Sequence, residues 1–239
     1  MIDFIRKDQY DFDDLLHLVT FLRAPGGCPW DAAQTHLSIR RNFIEEAYEA
    51  CEGFDTDDPD IMKEELGDVL LQVLFHTDIE REAGRFTLDD VCDTLCKKLV
   101  FRHPKVFGNE NAPDWDAMKK LEKGQSSTSD TLRSVAKSLP SLWRAEKICK
   151  KAVKGGYPQE SIRQITDKME MAVTALRETA EANGNAEQAL GELLFSCAAV
   201  AATLEADPEQ ALHAACERFI ENFSQQEAAS EAAPESKAQ

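Results

Sequence analysis

Apolar residues recur along this chain at helical spacing. Leu15, Leu18, Val19 and Leu22 form one stripe and predict a first helix from about Asp13, stopped at Ala24-Pro25-Gly26-Gly27. Ile39, Phe43, Ala47, Ala50 and Phe54 form a second stripe and predict a helix from about Ser38 to Phe54. Asp58-Pro59 opens a third helix, with a side-chain acceptor for the free amides and a proline suited to the first helical position, and the helix should run to about Ala83. Gly67 falls inside it at a cost of up to about 1 kcal/mol relative to alanine, which predicts close helix packing at that point. Thr87 caps a fourth helix with Asp90 at its third position. Val91, Leu95 and Leu99 are its apolar positions, Lys97, Lys98 and Arg102 lie toward its end, and it stops at His103-Pro104. Alternating runs are scarce, so the class is all-α and the first 107 residues form a helical bundle.

Residues 108–131 are polar and Ser-rich and read as a partly flexible linker with a short helix around Trp115 to Lys123. A second helical region, 132–224, echoes the first. Leu190-Gly191-Glu192-Leu193-Leu194 repeats Leu66-Gly67-Asp68-Val69-Leu70, and Asp207-Pro208 opens a helix much as Thr87-Leu88 does. This repetition predicts two related bundles. The tail, 225–239, is rich in Ala, Glu and Ser and is expected to be disordered.

Charge narrows the function. With 44 acidic against 27 basic residues the formal charge is −17, which argues against a nucleic-acid surface, since phosphate backbones are held by Lys and Arg clusters. The seven cysteines are odd in number and lack a C-x-x-C pair, which fits reduced thiols; Cys92 and Cys96 read as small core residues. No basic segment leads into an apolar core at the N-terminus, and no apolar run reaches the roughly 18 residues of a membrane helix. The expectation is a soluble, cytoplasmic protein without membrane or nucleic-acid partners.

Candidate chemistry concentrates between Ile44 and Phe75. Glu46 and Glu49 share a face of the second helix, and Glu65 and Asp68 share a face of the third. In so acidic a chain these could be two solvated helix faces. The second pair resists that reading, because Val69-Leu70-Leu71 and the residues up to Phe75 make its helix largely buried. Clustered carboxylates on buried helices call for a cation. Their oxygens suit a hard divalent ion, magnesium or manganese. A carboxylate-bridged di-iron bundle would instead want Glu-x-x-His pairs.

Glu46-x-x-Glu49, fifteen further residues, then Glu65-x-x-Asp68 resembles the signature of the MazG-type nucleoside triphosphate pyrophosphohydrolases. The flanks are similar too: Gly27-Cys28-Pro29-Trp30-Asp31 with Gln34-Thr35-His36, Gly84-Arg85-Phe86, Arg102-His103-Pro104-Lys105-Val106-Phe107, and Ser138-Leu139-Pro140 leading to Arg144-Ala145-Glu146-Lys147-Ile148. The resemblance implies an all-α fold that dimerises through helix packing, and magnesium-dependent cleavage of nucleoside triphosphates to monophosphate and pyrophosphate, as in clearing of the nucleotide pool. It makes Glu46, Glu49, Glu65 and Asp68 the metal ligands and favours Lys98 and Arg102 as triphosphate contacts, although their position near a helix C-terminus is itself sufficient reason for basic residues. Glu45 is a candidate to take the attacking water's proton or to hold that water, or is an exposed acid. Asn42 and Lys63 flank the acids and are candidates for phosphate or sugar. Trp30 either stacks a base or anchors its loop to the core, and His36, His76 and His103 read as core anchors.

The second copy departs from the pattern. Superposing the Leu-Gly-Asp and Leu-Gly-Glu segments sets Ala189 against Glu65 and Glu192 against Asp68, with Met171, Ala172 and Ala175 opposite Glu45, Glu46 and Glu49. Residues 160–224 read as a degenerate copy kept for packing or dimerisation. A non-hydrolytic nucleotide-binding scaffold is the rival from another class.

Overall fold

The computed structural model describes residues 4–182 and 184–232, with side chains as far as residue 228. Among these residues there are eleven α-helices and no strand. The chain divides between Trp115 and Asp116 into two compact units.

In the first unit, α1 (Phe12–Arg23) starts in a capping box, Asp11 and Asp14 each accepting from the other's backbone amide. A four-residue helix, α2 (Pro29–Ala32), follows in the Pro-Gly loop; one turn is too short to leave a periodic signature. Next come α3 (Arg40–Thr56), α4 (Pro59–Glu82) and α5 (Leu88–Arg102). Asp58 caps α4 by accepting from the amides of Asp60 and Ile61, and Thr87 and Asp90 form the capping box of α5. The core is Val19, Ile39, Leu74 and Phe75, with Leu15, Leu16, Leu70, Leu71, Ile79 and Leu88 packed around it.

The helices α3 and α4 form a hairpin. Only Asp57 and Asp58 lie between them, and Asp57 takes the left-handed conformation (φ 53°, ψ 36°) that ends α3. The amide of Asp58 bonds back to the Gly53 carbonyl. Close packing falls here and not at Gly67. A Cβ on Gly53 would stand 3.1 Å from the Met62 nitrogen and from the Ile61 side chain, whereas a Cβ on Gly67 meets nothing within 4 Å. The expected stripe of α3 is only partly buried. Ile39 and Ala50 are in the core, but Phe43 is 36% and Phe54 49% exposed, because α4 covers the Ala50–Gly53 side of the helix. Cys92 and Cys96 on α5 are exposed as well, contrary to a core role.

The second unit holds α6 (Trp115–Glu122) beyond its first residue, which belongs to the first unit, then α7 (Thr128–Arg133), α8 (Ser141–Lys154), α9 (Ile162–Glu181), α10 (Glu187–Leu204) and α11 (Pro208–Ala232). The polar segment 108–131 therefore carries the start of a second helix besides the expected one; Ser127 and Asp130 form the capping box of α7. The helices α8, α9 and α10 pack together. Asp207 accepts from the amides of Glu209 and Gln210, capping α11, and from the Trp143 indole at 2.7 Å, tying α11 to α8. Helix α11 continues into the expected disordered tail as far as Ala232, in keeping with the helix propensity of Ala, Glu and Gln; residues 233–239 lie outside the described residues.

Exchanging glycines should read out this packing. Gly53→Leu is expected to lower stability by about 1–3 kcal/mol through overpacking. Gly67→Ala, with open space and an unstrained helix, should raise it by roughly 0.5–1 kcal/mol. Urea denaturation midpoints with unchanged slopes would measure both.

Candidate functional site

The hairpin of α3 and α4 brings carboxylates together across two helices. Oxygens of Glu46, Glu49 and Glu65 lie within 4.8 Å of one another. Asp68, one turn along from Glu65, adjoins them, and its charge acts on both Glu46 and Glu65. Burial is the first reason that Glu46 and Glu65 hold their protons above the usual carboxylate range. The charges of Asp68, Glu49 and Glu45 add to it at Glu46, and those of Glu49, Asp68 and Glu64 at Glu65. A hydrogen bond from Gln72 works the other way at Glu46. Glu65 Oε2 and Gln72 Oε1 are buried without a hydrogen-bond partner. Repelling carboxylates with a buried, unpartnered oxygen are what a hard divalent cation relieves, so this donor set fits magnesium or manganese.

The other candidate residues are placed more variously. Asn42 is half-buried on α3 and stands one turn before Glu46. Glu45 is half-buried and ion-paired with Arg41 at 2.8 Å. Lys63 is exposed and pairs with Asp60 at 2.8 Å. Lys98 is half-buried on α5, while Arg102 is buried with its guanidinium 5.2 Å from the centre of the Trp115 ring. Trp30 is 62% exposed, so its ring does not anchor the loop; only its carbonyl is engaged, by Gln34. His103 is exposed, bonded to the Leu99 carbonyl and set against Trp115.

A paired polar network extends from the same face of α4. His36 and His76 stack, with their Nδ1 atoms 2.7 Å apart and one proton to share. His36 Nε2 faces Glu80 at 2.5 Å, and Arg85 grips the same carboxylate through two nitrogens. Arg85 is the leading cause that draws Glu80 down to about 2, with His36 assisting against the opposing effect of burial. Burial first, then His36, lowers His76. Deeper in the unit Arg23 and Asp78 form an ion pair at 3.1 Å, both buried; Arg23 also reaches Glu82, and Asp78 also accepts from Thr20 and Arg81. Sequence reasoning missed this row. Its signal was the four-residue spacing of Asp68, Gln72, His76 and Glu80, which sets polar groups on one side of an otherwise apolar helix.

Known proteins resemble this chain in sequence. A family profile described as "MazG nucleotide pyrophosphohydrolase domain" matches residues 34–107, the stretch that runs from the loop before α3 through α5. The chain is 39% identical over 219 residues to the "Nucleoside triphosphate pyrophosphohydrolase/pyrophosphatase MazG" of Thermotoga maritima, covering 90% of this chain and 85% of that protein. It is 33% identical over 223 residues to the "Nucleoside triphosphate pyrophosphohydrolase" of Escherichia coli K12, covering 88% and 85%. With the "Uncharacterized protein YabN" of Bacillus subtilis it shares 40% identity over 225 residues, 90% of this chain but 46% of that protein.

The Glu80 cluster sets a pH dependence. Because folding lowers Glu80 from 4.5 to about 2, its stabilisation is complete above pH 4.5 and is lost as pH falls toward 2. Glu80→Gln should therefore be less stable than the parent at neutral pH, and the gap should close progressively below pH 4.5. Thermal melts between pH 2.5 and 7 would show the convergence.

Proposed function

Because this chain belongs to the MazG nucleotide pyrophosphohydrolase family, we propose that it is a nucleoside triphosphate pyrophosphohydrolase that works with magnesium, or with manganese in its place, at the α3–α4 hairpin. The observation that carries this reading is the convergence of Glu46, Glu49 and Glu65, with Asp68 beside them, around a buried oxygen that has no partner. The reaction joins a water oxygen to the α-phosphorus and breaks the α–β bridge, giving a nucleoside monophosphate and pyrophosphate. A bound divalent ion supplies neutralisation of the triphosphate and a lowered pKa for the attacking water.

The chain's own residues divide the remaining work. The four carboxylates would hold the ion. Glu45, next to the first of them, is the candidate to receive the water's proton, and its ion pair with Arg41 must open or share for it to do so. Lys98 offers a charge toward phosphate from α5, and Asn42 a side-chain amide on the Glu46 face. Arg102 would have to leave or share the Trp115 ring to join them, and Lys63 would have to leave Asp60. The exposed Trp30 ring is available to stack on a base.

Only the first hairpin is equipped for this chemistry. Among the described residues no second group of three metal-ligating side chains occurs, and Met171, Ala172, Ala175 and Ala189 stand where the repeat alignment would need acids. The second unit is thus read as a degenerate copy retained for packing. Exposed apolar side chains on α3, α4 and α5, among them Ile44, Tyr48, Leu66, Leu95 and Leu99, support pairing with a second copy as a homodimer. A net charge of −17 disfavours nucleic acid. No single helix among the described residues is long and apolar enough to cross a membrane, and free cysteines support a reducing, cytoplasmic setting for nucleotide-pool cleaning.

Glu46→Ala and Asp68→Ala are each expected to cut turnover by about a hundredfold or more. The ion's contribution amounts to several kcal/mol, and each ~1.4 kcal/mol is tenfold in rate. A pyrophosphate-release assay with magnesium and a panel of triphosphates reads this directly; undiminished release from either variant would remove the hairpin as the site.

A further inference from the structure

Gln72 is the uncharged member of the acidic cluster, and neither acid spacing nor family likeness draws attention to it. It follows Asp68 by four residues and Glu65 by seven, so it shares their face of α4. The residue is 7% exposed. Its side chain acts across the hairpin on Glu46 of α3, favouring the ionised carboxylate. A carboxylate only accepts, so it is the amide nitrogen that suits Glu46, while Oε1 is buried with no partner. The next polar group on this face, His76, commits its Nδ1 to His36.

A buried amide whose acceptor is empty carries a cost that an apolar side chain of similar volume would avoid. Glu65 Oε2, on the same helix face, is orphaned in the same way. Two unpartnered buried oxygens at one carboxylate cluster indicate groups arranged for something that arrives with both positive charge and hydrogen-bond donors. A hydrated divalent ion has both: the ion takes the carboxylates, and its waters donate.

We propose that Gln72 is a positioning residue of the metal centre, fixing the Glu46 carboxylate through its amide N–H and accepting through Oε1 from the hydration shell of the ion. This inference rests on reading Glu46, Glu49, Glu65 and Asp68 as the ion's ligands. It assigns Gln72 no contact with the reacting atoms.

The test replaces the amide with a thioether of similar shape, Gln72→Met, with Gln72→Leu as a second variant should the first fail to fold. Manganese affinity is measured by calorimetry, and melting temperature is measured in chelator and in saturating manganese. The expected result is a metal-free melting temperature equal to or above the parent's, with manganese affinity about 10- to 100-fold weaker and a smaller metal-induced rise in melting temperature. In the pyrophosphate assay the half-saturating magnesium concentration should rise while KM for nucleotide at saturating magnesium stays the same. Affinity within about twofold of the parent overturns the proposal, whether or not the metal-free melting temperature falls; a fall alone marks Gln72 as ordinary packing. Those outcomes leave the cation site standing. A parent that takes up no manganese overturns the cation site and the role of Gln72 together.

Discussion

Carboxylates that repel one another stay within 4.8 Å only because something else holds their helices together. Here it is the crossing of α3 and α4 at Gly53, where the absence of a side chain lets the Ile61 side chain and the Met62 backbone of the opposite helix come close. Ala50 is buried one turn away, and Leu74 and Phe75 fix the far end of α4 in the core with Val19 and Ile39. Apolar burial thus supplies the force, and the site spends part of it on unfavourable charge. Strain of this kind is common where a protein has been shaped around a ligand.

The same helix shows how acids are treated when no ligand is intended. Asp78 and Glu80 are both buried, yet each is closed off by donors: Arg23 and Arg81 for Asp78, Arg85 and the His36 ring for Glu80. Their proton affinities fall, whereas those of Glu46 and Glu65 rise. On α4 the open acid Glu65 is shifted up, while Asp78 and Glu80, closed off by their partners, are shifted down.

Much of the fold was legible because its boundaries are written in local chemistry. Asp58-Pro59, Thr87 with Asp90, and Asp207-Pro208 cap their helices as side-chain acceptors must. Less legible was what depends on neighbours. A stripe such as Ile39, Phe43, Ala47, Ala50 and Phe54 says which residues share a face, but not how far a partner helix covers it, so two aromatic residues are exposed. Gly67 drew attention for its helix cost, while Gly53, near the end of a helix and unremarkable in composition, makes the contact. Of the site, the acids were visible through their spacing. The neighbouring polar row was not, because His36 and Arg85 reach Glu80 on α4 from separate loops, and the row of Gln72, His76 and Glu80 is interleaved with Leu70, Leu71, Leu74 and Phe75.

The two-residue turn at Asp57 and Asp58 makes the hairpin a ruler. Glu49 stands eight residues before Asp57 and Glu65 seven after Asp58, each about 11 Å up its helix; Glu46 and Asp68 stand eleven and ten residues away, each about 16 Å up. The fifteen residues between the two acidic motifs therefore measure twice the height of the site above the turn. Within the helices, that interval can lengthen without disturbing the site only if both arms lengthen together. An insertion confined to one arm would slide one acidic pair past the other, whereas matched insertions raise the whole centre intact.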